Sequence, residues 1–402
     1  MKVEGSNITI NDSVYNKMSI IPKGACEQEG VPTPDYPQDI RVVTGDNSVV
    51  VSNVNQYPIY SSETKSGVTL SKNSDGSYTL NGLCTASNNF TKITTIKKGT
   101  YSLQCKYDGT LPNDSNTFVL LYKADFIWQE IRNNNTNGVV RNFTIARDET
   151  IEYRIRIQNG HNYDNVKIYP MLVFGTYDSN TMPNYTEPKQ QVCPIHLGTN
   201  YLAGIDEYKD EIVGSTDNWK IKRKIKKLTF IGTEGWNTPS SYQNLHFLEV
   251  FSGANAYYLY SGFSNYFTNY SSGAIDNADA DNKLNDGEFT FRKGNQDRVY
   301  FKGITGNNDF KTWLSTHNTI LYYILATPVE ETITDTQLIE SLNNMYQAMG
   351  YDGTTNITIT SDSNNAQMTA EVTYTSESDM CEKLLFIFNK MKDKLYHIIR
   401  SL

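Results

Sequence analysis

Ile151-Glu152-Tyr153-Arg154-Ile155-Arg156-Ile157 alternates apolar and charged side chains without a break. Successive side chains of a strand point to opposite faces, so this run lays Ile151, Tyr153, Ile155 and Ile157 on a core and its charges in water. Its surroundings repeat the theme. Ser77-Tyr78-Thr79-Leu80 follows an Asp75-Gly76 turn, and Thr100-Tyr101-Ser102-Leu103 follows Lys98-Gly99. Phe118 to Tyr122, Val139 to Ile145 and Val166 to Phe174 are further apolar, β-branched or aromatic runs. Short strands at such spacing, with no helical stretch between them, predict a β-sandwich over residues 45–175.

The whole chain has 402 residues, enough for two or three domains that each bury a core. Charged residues are 20% and 28 residues are tyrosine, which suits pleated, half-buried surfaces and excludes a disordered class. The formal net charge of −8 argues against nucleic-acid binding. Against it stands the basic run from Lys220 to Lys227, whose Ile221 and Ile225 favour a charged strand edge over a phosphate site. The first residues lack the apolar core of a signal peptide, and no window approaches a membrane span. Cys26, Cys84, Cys105, Cys193 and Cys381 are odd in number and widely spread, the pattern of isolated thiols made in a reducing cytoplasm.

Near the front, Gly24-Ala25-Cys26 leads to Gly30-Val31-Pro32-Thr33-Pro34-Asp35-Tyr36-Pro37-Gln38-Asp39-Ile40. Three prolines in six residues make a stiff, non-helical connector. The run resembles the Gly-x-Pro-x-Pro-Asp-x-Pro-x-x-Ile segment of tail and minor structural proteins of bacteriophages of Gram-positive hosts. Further blocks carry the resemblance in order: Gly76 to Gly82, Lys97 to Tyr101, Val166 to Leu172, Ile195-His196-Leu197-Gly198, Leu202 to Ile212, Gly235-Trp236, Phe310 to Ser315 and Leu321 to Pro328. The resemblance implies a mainly β protein: two jelly-roll or β-sandwich modules of carbohydrate-binding type, joined by a linker. On this reading residues 1–44 are a docking arm to other virion proteins, 45–175 the first module, 176–195 a linker and 196–332 the second module.

The remainder changes character. Thr334 and Gln337 have capping-box spacing, and Leu338, Leu342, Met345 and Met349 then share one helical face until Gly350. The expectation for 333–378 is this short helix, near 335–349, plus a β-hairpin. In 379–402, Cys381, Leu384, Phe388, Met391, Leu395, Ile398 and Leu402 recur every three and four residues as a heptad seam. So short an amphipathic helix must pack on something: its own chain, or two further copies in a trimer. The threefold symmetry usual in phage fibres points to the trimer.

Enzymatic patterns are sparse. The five histidines are far apart, and neither a nucleophile elbow nor a phosphate loop occurs. Carboxylates distant in sequence leave a glycosidase pair open. Asp279, Asp281 and Asp286 carry the oxygen ligands calcium takes, yet Lys283 interrupts the alternation and no glycine follows at the turn, so a solvated loop is the simpler reading. Sugar binding asks for aromatic faces beside amides and hydroxyls. Tyr257, Tyr258, Tyr260, Tyr266 and Tyr270, interspersed with Asn and Ser, offer both, as do Tyr122, Trp128 and Arg132 near Asn133; cross-strand packing is the competing role for each. The expectation is a virion protein of a tail, baseplate or fibre, without catalysis, cofactor or membrane insertion, that holds host cell-surface polysaccharide by multivalent contact. Two alternatives stand beside it: a non-binding scaffold or head-fibre component, and a polysaccharide depolymerase.

Overall fold

A computed structural model describes residues 2–12, 15–123, 126–216, 218–251, 261–292, 297–346, 350–351 and 353–376. The chain is mainly β, of the sandwich class. Among the described residues, one sheet has seven strands in the order Lys2–Gly5, Thr369–Ser376, Tyr15–Lys23, Glu211–Ser215, Asn218–Phe230, Thr319–Thr332 and Gly262–Ser264. A four-stranded sheet, Gln190–His196, Asp46–Ser52, Gly353–Ser361 and Asn7–Asp12, shares a core with it. The inward positions of their alternating strands meet there, among them Ile8, Ile20, Val49, Ile195, Ile357 and Val372.

Segments from both ends of the described chain thus build this central sandwich, whereas the sequence reading makes residues 1–44 a docking arm with a prolyl connector. Lys2–Gly5 and Tyr15–Lys23 both pair with Thr369–Ser376. Nor do the last two strands form the expected hairpin. Ile357 and Ile359 belong to one sheet and Val372 to the other, so the strands face each other across the core. The expected linker is also committed structure. Asn53 donates to the Glu187 carbonyl at 2.7 Å and Asn55 to that of Thr186 at 2.9 Å, after which Gln190–His196 is a strand.

The first module hangs from this sandwich between Asp46–Ser52 and Gln190–His196. One sheet is Val140–Ile145, Gly99–Asp108, Asn162–Phe174, Tyr78–Leu83, Val68–Lys72 and Glu63–Lys65; the facing one is Asn88–Ile96, Glu149–Ile157, Thr117–Lys123 and Phe126–Arg132. Ile151, Tyr153, Ile155 and Ile157 are buried in the core between them, as their alternation requires.

The second module grows from the long ribbon Asn218–Phe230/Thr319–Thr332. Trp219 and Ile221 lie in the central core, while Phe230, Leu321 and Tyr323 lie in a second one with Phe289, Phe301 and Phe310. The register breaks between Arg223 and Ile225. There the fully buried Asp210 accepts the backbone N–H groups of Lys224 at 2.8 Å, Ile225 at 3.0 Å and Ala203 at 3.0 Å, and Arg223 Nη1 at 3.0 Å. Arg223 Nε reaches Glu331 at 2.7 Å, and its guanidinium lies 4.2 Å from the Tyr201 ring centre. A bulge leaves backbone groups unpaired, and this carboxylate takes them up.

The basic run is therefore an interior strand, not a strand edge. Trp219, Ile221, Arg223 and Ile225 point inward and the lysines outward, Lys220 pairing with Glu330 at 2.7 Å and Lys224 with Glu211 at 2.7 Å. The helix Thr336–Tyr346 covers the central core with Leu338, Leu342 and Met345. Its cap is Asp335, one residue past the expected Thr334. The Asp335 carboxylate accepts from Gln337 N at 2.9 Å and Leu338 N at 3.1 Å, a role in which its charge also favours the helix N-terminus. Met349 and residues 379–402, including Leu384, Phe388, Met391, Leu395, Ile398 and Leu402, lie outside the described residues.

Candidate binding surface on the second module

Helix Asn307–Thr316 buries Phe310 and Leu314, one turn apart, in the second core. That spacing turns Trp313 to the side, where it remains half-buried, and His317 caps the helix one turn later. The Trp313 and His317 rings stack at 4.3 Å, 4° from parallel. His317 Nδ1 lies 2.8 Å from the Trp313 carbonyl and 2.9 Å from Thr316 Oγ1, which fixes the imidazole plane. Tyr266 stands edge-on to both rings, at 5.0 Å from Trp313 and 5.6 Å from His317. Asn265 holds that loop to the helix–strand corner through its side chain: Oδ1 accepts Ile320 N–H at 2.7 Å and Nδ2 donates to Asn318 O at 3.0 Å.

The prolyl segment borders this cluster. Gln38 N–H donates to Asn265 O at 2.8 Å, Gln28 Nε2 to Ser264 O at 2.9 Å, and Thr268 Oγ1 to Pro32 O at 2.8 Å. Thr33 and Tyr36 exchange backbone hydrogen bonds at 3.1 Å in both directions, closing a tight turn that leaves Tyr36 75% exposed. Half-exposed rings set at right angles, rimmed by amides and hydroxyls, can cover the C–H face of a sugar while bonding its hydroxyls.

Of the residues chosen from sequence, Tyr266 falls in this cluster. Tyr270 does not; it packs against the small core formed by Leu245, Ala274, Ala280, Leu284 and Tyr300, and its backbone carbonyl accepts Thr290 Oγ1 at 2.6 Å. Tyr257, Tyr258 and Tyr260 lie outside the described residues. In the first module the Arg154 guanidinium sits 4.1 Å from the Tyr122 ring centre and occupies one of its faces. Arg132 is held by Glu130, at 2.5 Å from Nε, and by Ser115 O at 3.2 Å. Trp128 belongs to strand Phe126–Arg132, beside a register break opposite Leu121 and Tyr122; its side chain is outside the described set.

The acidic stretch forms helix Asn277–Lys283 in place of the expected loop, with Asp276 as cap. Asp279 pairs with Lys283 at 2.9 Å, Asp281 with Lys302 at 2.9 Å, and Asp286 accepts from Asn244 at 3.1 Å. Among the described residues no group of three His, Cys, Asp or Glu side chains gathers to hold a metal.

Trp313 and His317 escaped sequence reasoning. Their i, i+4 spacing was the available signal, but only the fold places Tyr266 beside them.

No helix among the described residues is long and apolar enough to cross a membrane. No protein-family model, curated protein or solved structure matches the chain.

Proposed function

We propose that this protein is a virion component of a phage tail, baseplate or fibre that attaches the particle to host cell-wall glycan. It acts as a binder and catalyses no step. The observation that carries this reading is the half-exposed cluster of Tyr266, Trp313 and His317 beside the prolyl segment. The sequence resemblance supplies the setting: the first module is a jelly roll of carbohydrate-binding type, and the residues from 379 onward join copies into a trimer. Weak single contacts, multiplied over the copies on one particle, then give firm attachment.

The test is a glycan array and a host-cell pull-down with wild type and with Trp313→Ala. Binding that falls about tenfold in the variant supports the reading, since one stacked ring is worth roughly 1 kcal/mol or more. No binding by the wild type would favour a scaffold instead. Release of reducing ends from host polysaccharide, abolished by a single Asp or Glu change, would establish a depolymerase.

A further inference from the structure

A cleft of about 510 Å³ separates the first module from the central sandwich. Its two walls meet it in different ways. On one side every residue from Lys92 to Lys97 lines it. Side chains of a strand alternate between faces, so consecutive lining residues mean that the cleft runs along the strand's edge rather than over a face. Asn88–Ile96 is indeed an edge strand, paired on one side only with Glu149–Ile157. Among the described residues, the backbone of Lys92–Thr95 has no partner beyond that strand, and Ile93 is 65% exposed.

The opposite wall contributes alternate residues: Ser48 and Val50 from one strand, Thr358 and Thr360 from the next. In register these form two neighbouring pairs, Val50 with Thr358 and Ser48 with Thr360. That wall is a sheet face. A space edge-on to one sheet and face-on to another has the shape of a missing strand.

The geometry points to this cleft as a docking slot for an extended polypeptide segment of another protein, added as a fifth strand beside Asn88–Ile96. Main-chain hydrogen bonds to Lys92–Thr95 hold such a strand, and its alternate side chains rest on Val50, Thr358, Ser48 and Thr360. Those positions accept small or β-branched side chains. Charge sets the rest of the chemistry. In a chain of net charge −8, the lining holds Lys92 and Lys97 and no carboxylate. Lys97 is bound to Asp148 at 2.6 Å, which leaves Lys92, exposed on the edge, to meet an acidic side chain of the incoming strand. The ring faces that favour sugar are missing here, because Tyr101 and Tyr153 reach the cleft from the buried core. The slot is independent of the glycan surface on the second module.

The test screens the full-length protein against a displayed library of random octapeptides, then measures the best synthetic peptide by fluorescence anisotropy and amide hydrogen exchange. Enriched sequences should alternate β-branched residues and carry an acid, and their binding should slow exchange at residues 92–96. Methylating alternate peptide nitrogens should abolish binding. Lys92→Glu should weaken it about fivefold, as for an exposed ion pair, and a lysine in place of the peptide's acid should restore it. The slot is overturned by failure of any peptide to enrich, or by binding that survives N-methylation and leaves exchange at 92–96 unchanged. It is equally overturned if a glycerol phosphate oligomer, and no peptide, slows exchange there.

Discussion

Asp210 gathers three backbone N–H groups and one guanidinium where the ribbon changes register, and burial pushes its carboxyl pKa up while the Ala203 N–H and Arg223 oppose that. Asp210→Ala leaves Arg223 buried beside unpaired donors, so urea unfolding should show a loss of about 3–5 kcal/mol. Glu331→Gln, at the exposed end of the same network, should cost under about 1 kcal/mol. Lys23 behaves differently, because it joins strands through Glu371 at 2.7 Å, Glu211 at 3.4 Å and Glu4 at 3.7 Å. Burial acts to raise the Glu211 pKa, but bonds from Lys224 and Lys23 prevail and hold it below the ordinary carboxylate range. A carboxylate depressed in the folded state stabilises above its unfolded pKa, about 4.3, and that contribution is lost as pH falls through the folded value. Amide exchange at Tyr15–Lys23 should therefore quicken as pH drops below about 4, beyond the intrinsic change in exchange rate, and Glu211→Gln should blunt the effect. None of these networks is legible in sequence: Asp210 sits among carboxylates of identical appearance, and only the fold buries it. Tyr266 was legible as an aromatic in a polar run; its ring partners were not.

Strands declared themselves where both faces have a fixed environment. Ile151 to Ile157 and Val166 to Phe174 were readable because a core lies on one side of each. Asn88–Ile96 was not: of its nine residues only Phe90 and Ile96 are buried, and the third apolar side chain, Ile93, is exposed, so no apolar alternation marks the strand. The basic strand misled in the other direction. Lysine density suggested an edge, but the alternating apolar positions carried the structural information, and lysines tolerate an interior strand when their side of the sheet meets water. Substitution should separate the two sets. Ile221→Ala should cost about 2–5 kcal/mol by urea unfolding, whereas Lys222→Ala and Lys226→Ala should each stay within about 0.5 kcal/mol. The first N-terminal strands close against Leu202 and Ala203 so tightly that a Cβ on Gly24 would fall 2.4 Å from the Ala203 carbonyl oxygen. Gly24→Ala should thus destabilise by about 1–3 kcal/mol, against the usual gain from removing a glycine.

At the scale of the molecule, composition and strand spacing conveyed the β class, but nothing in them showed that one sandwich is built from both ends of the described chain. Pairing of Tyr15–Lys23 with Thr369–Ser376 leaves no trace in either segment alone, because each carries only the alternation any strand would have. The heptads beyond residue 379 make a separate prediction: if they join copies, light scattering should give three times the chain mass for the full chain and the monomer mass after truncation before Asp379. An unchanged mass would remove that assembly. The central sandwich also has a temporal consequence. A ribosome adding about 5–20 residues per second needs roughly 20 to 70 seconds between Lys23 and Thr369. For that interval Tyr15–Lys23 exists without its Thr369–Ser376 neighbour, while residues 57–174 have every strand of their own core as soon as Phe174 is made, well before Thr369. The part made first is the part finished last, so the nascent chain is most exposed to mispairing at its leading end, and a stalled or shortened product should aggregate through its first twenty-odd residues rather than through either module.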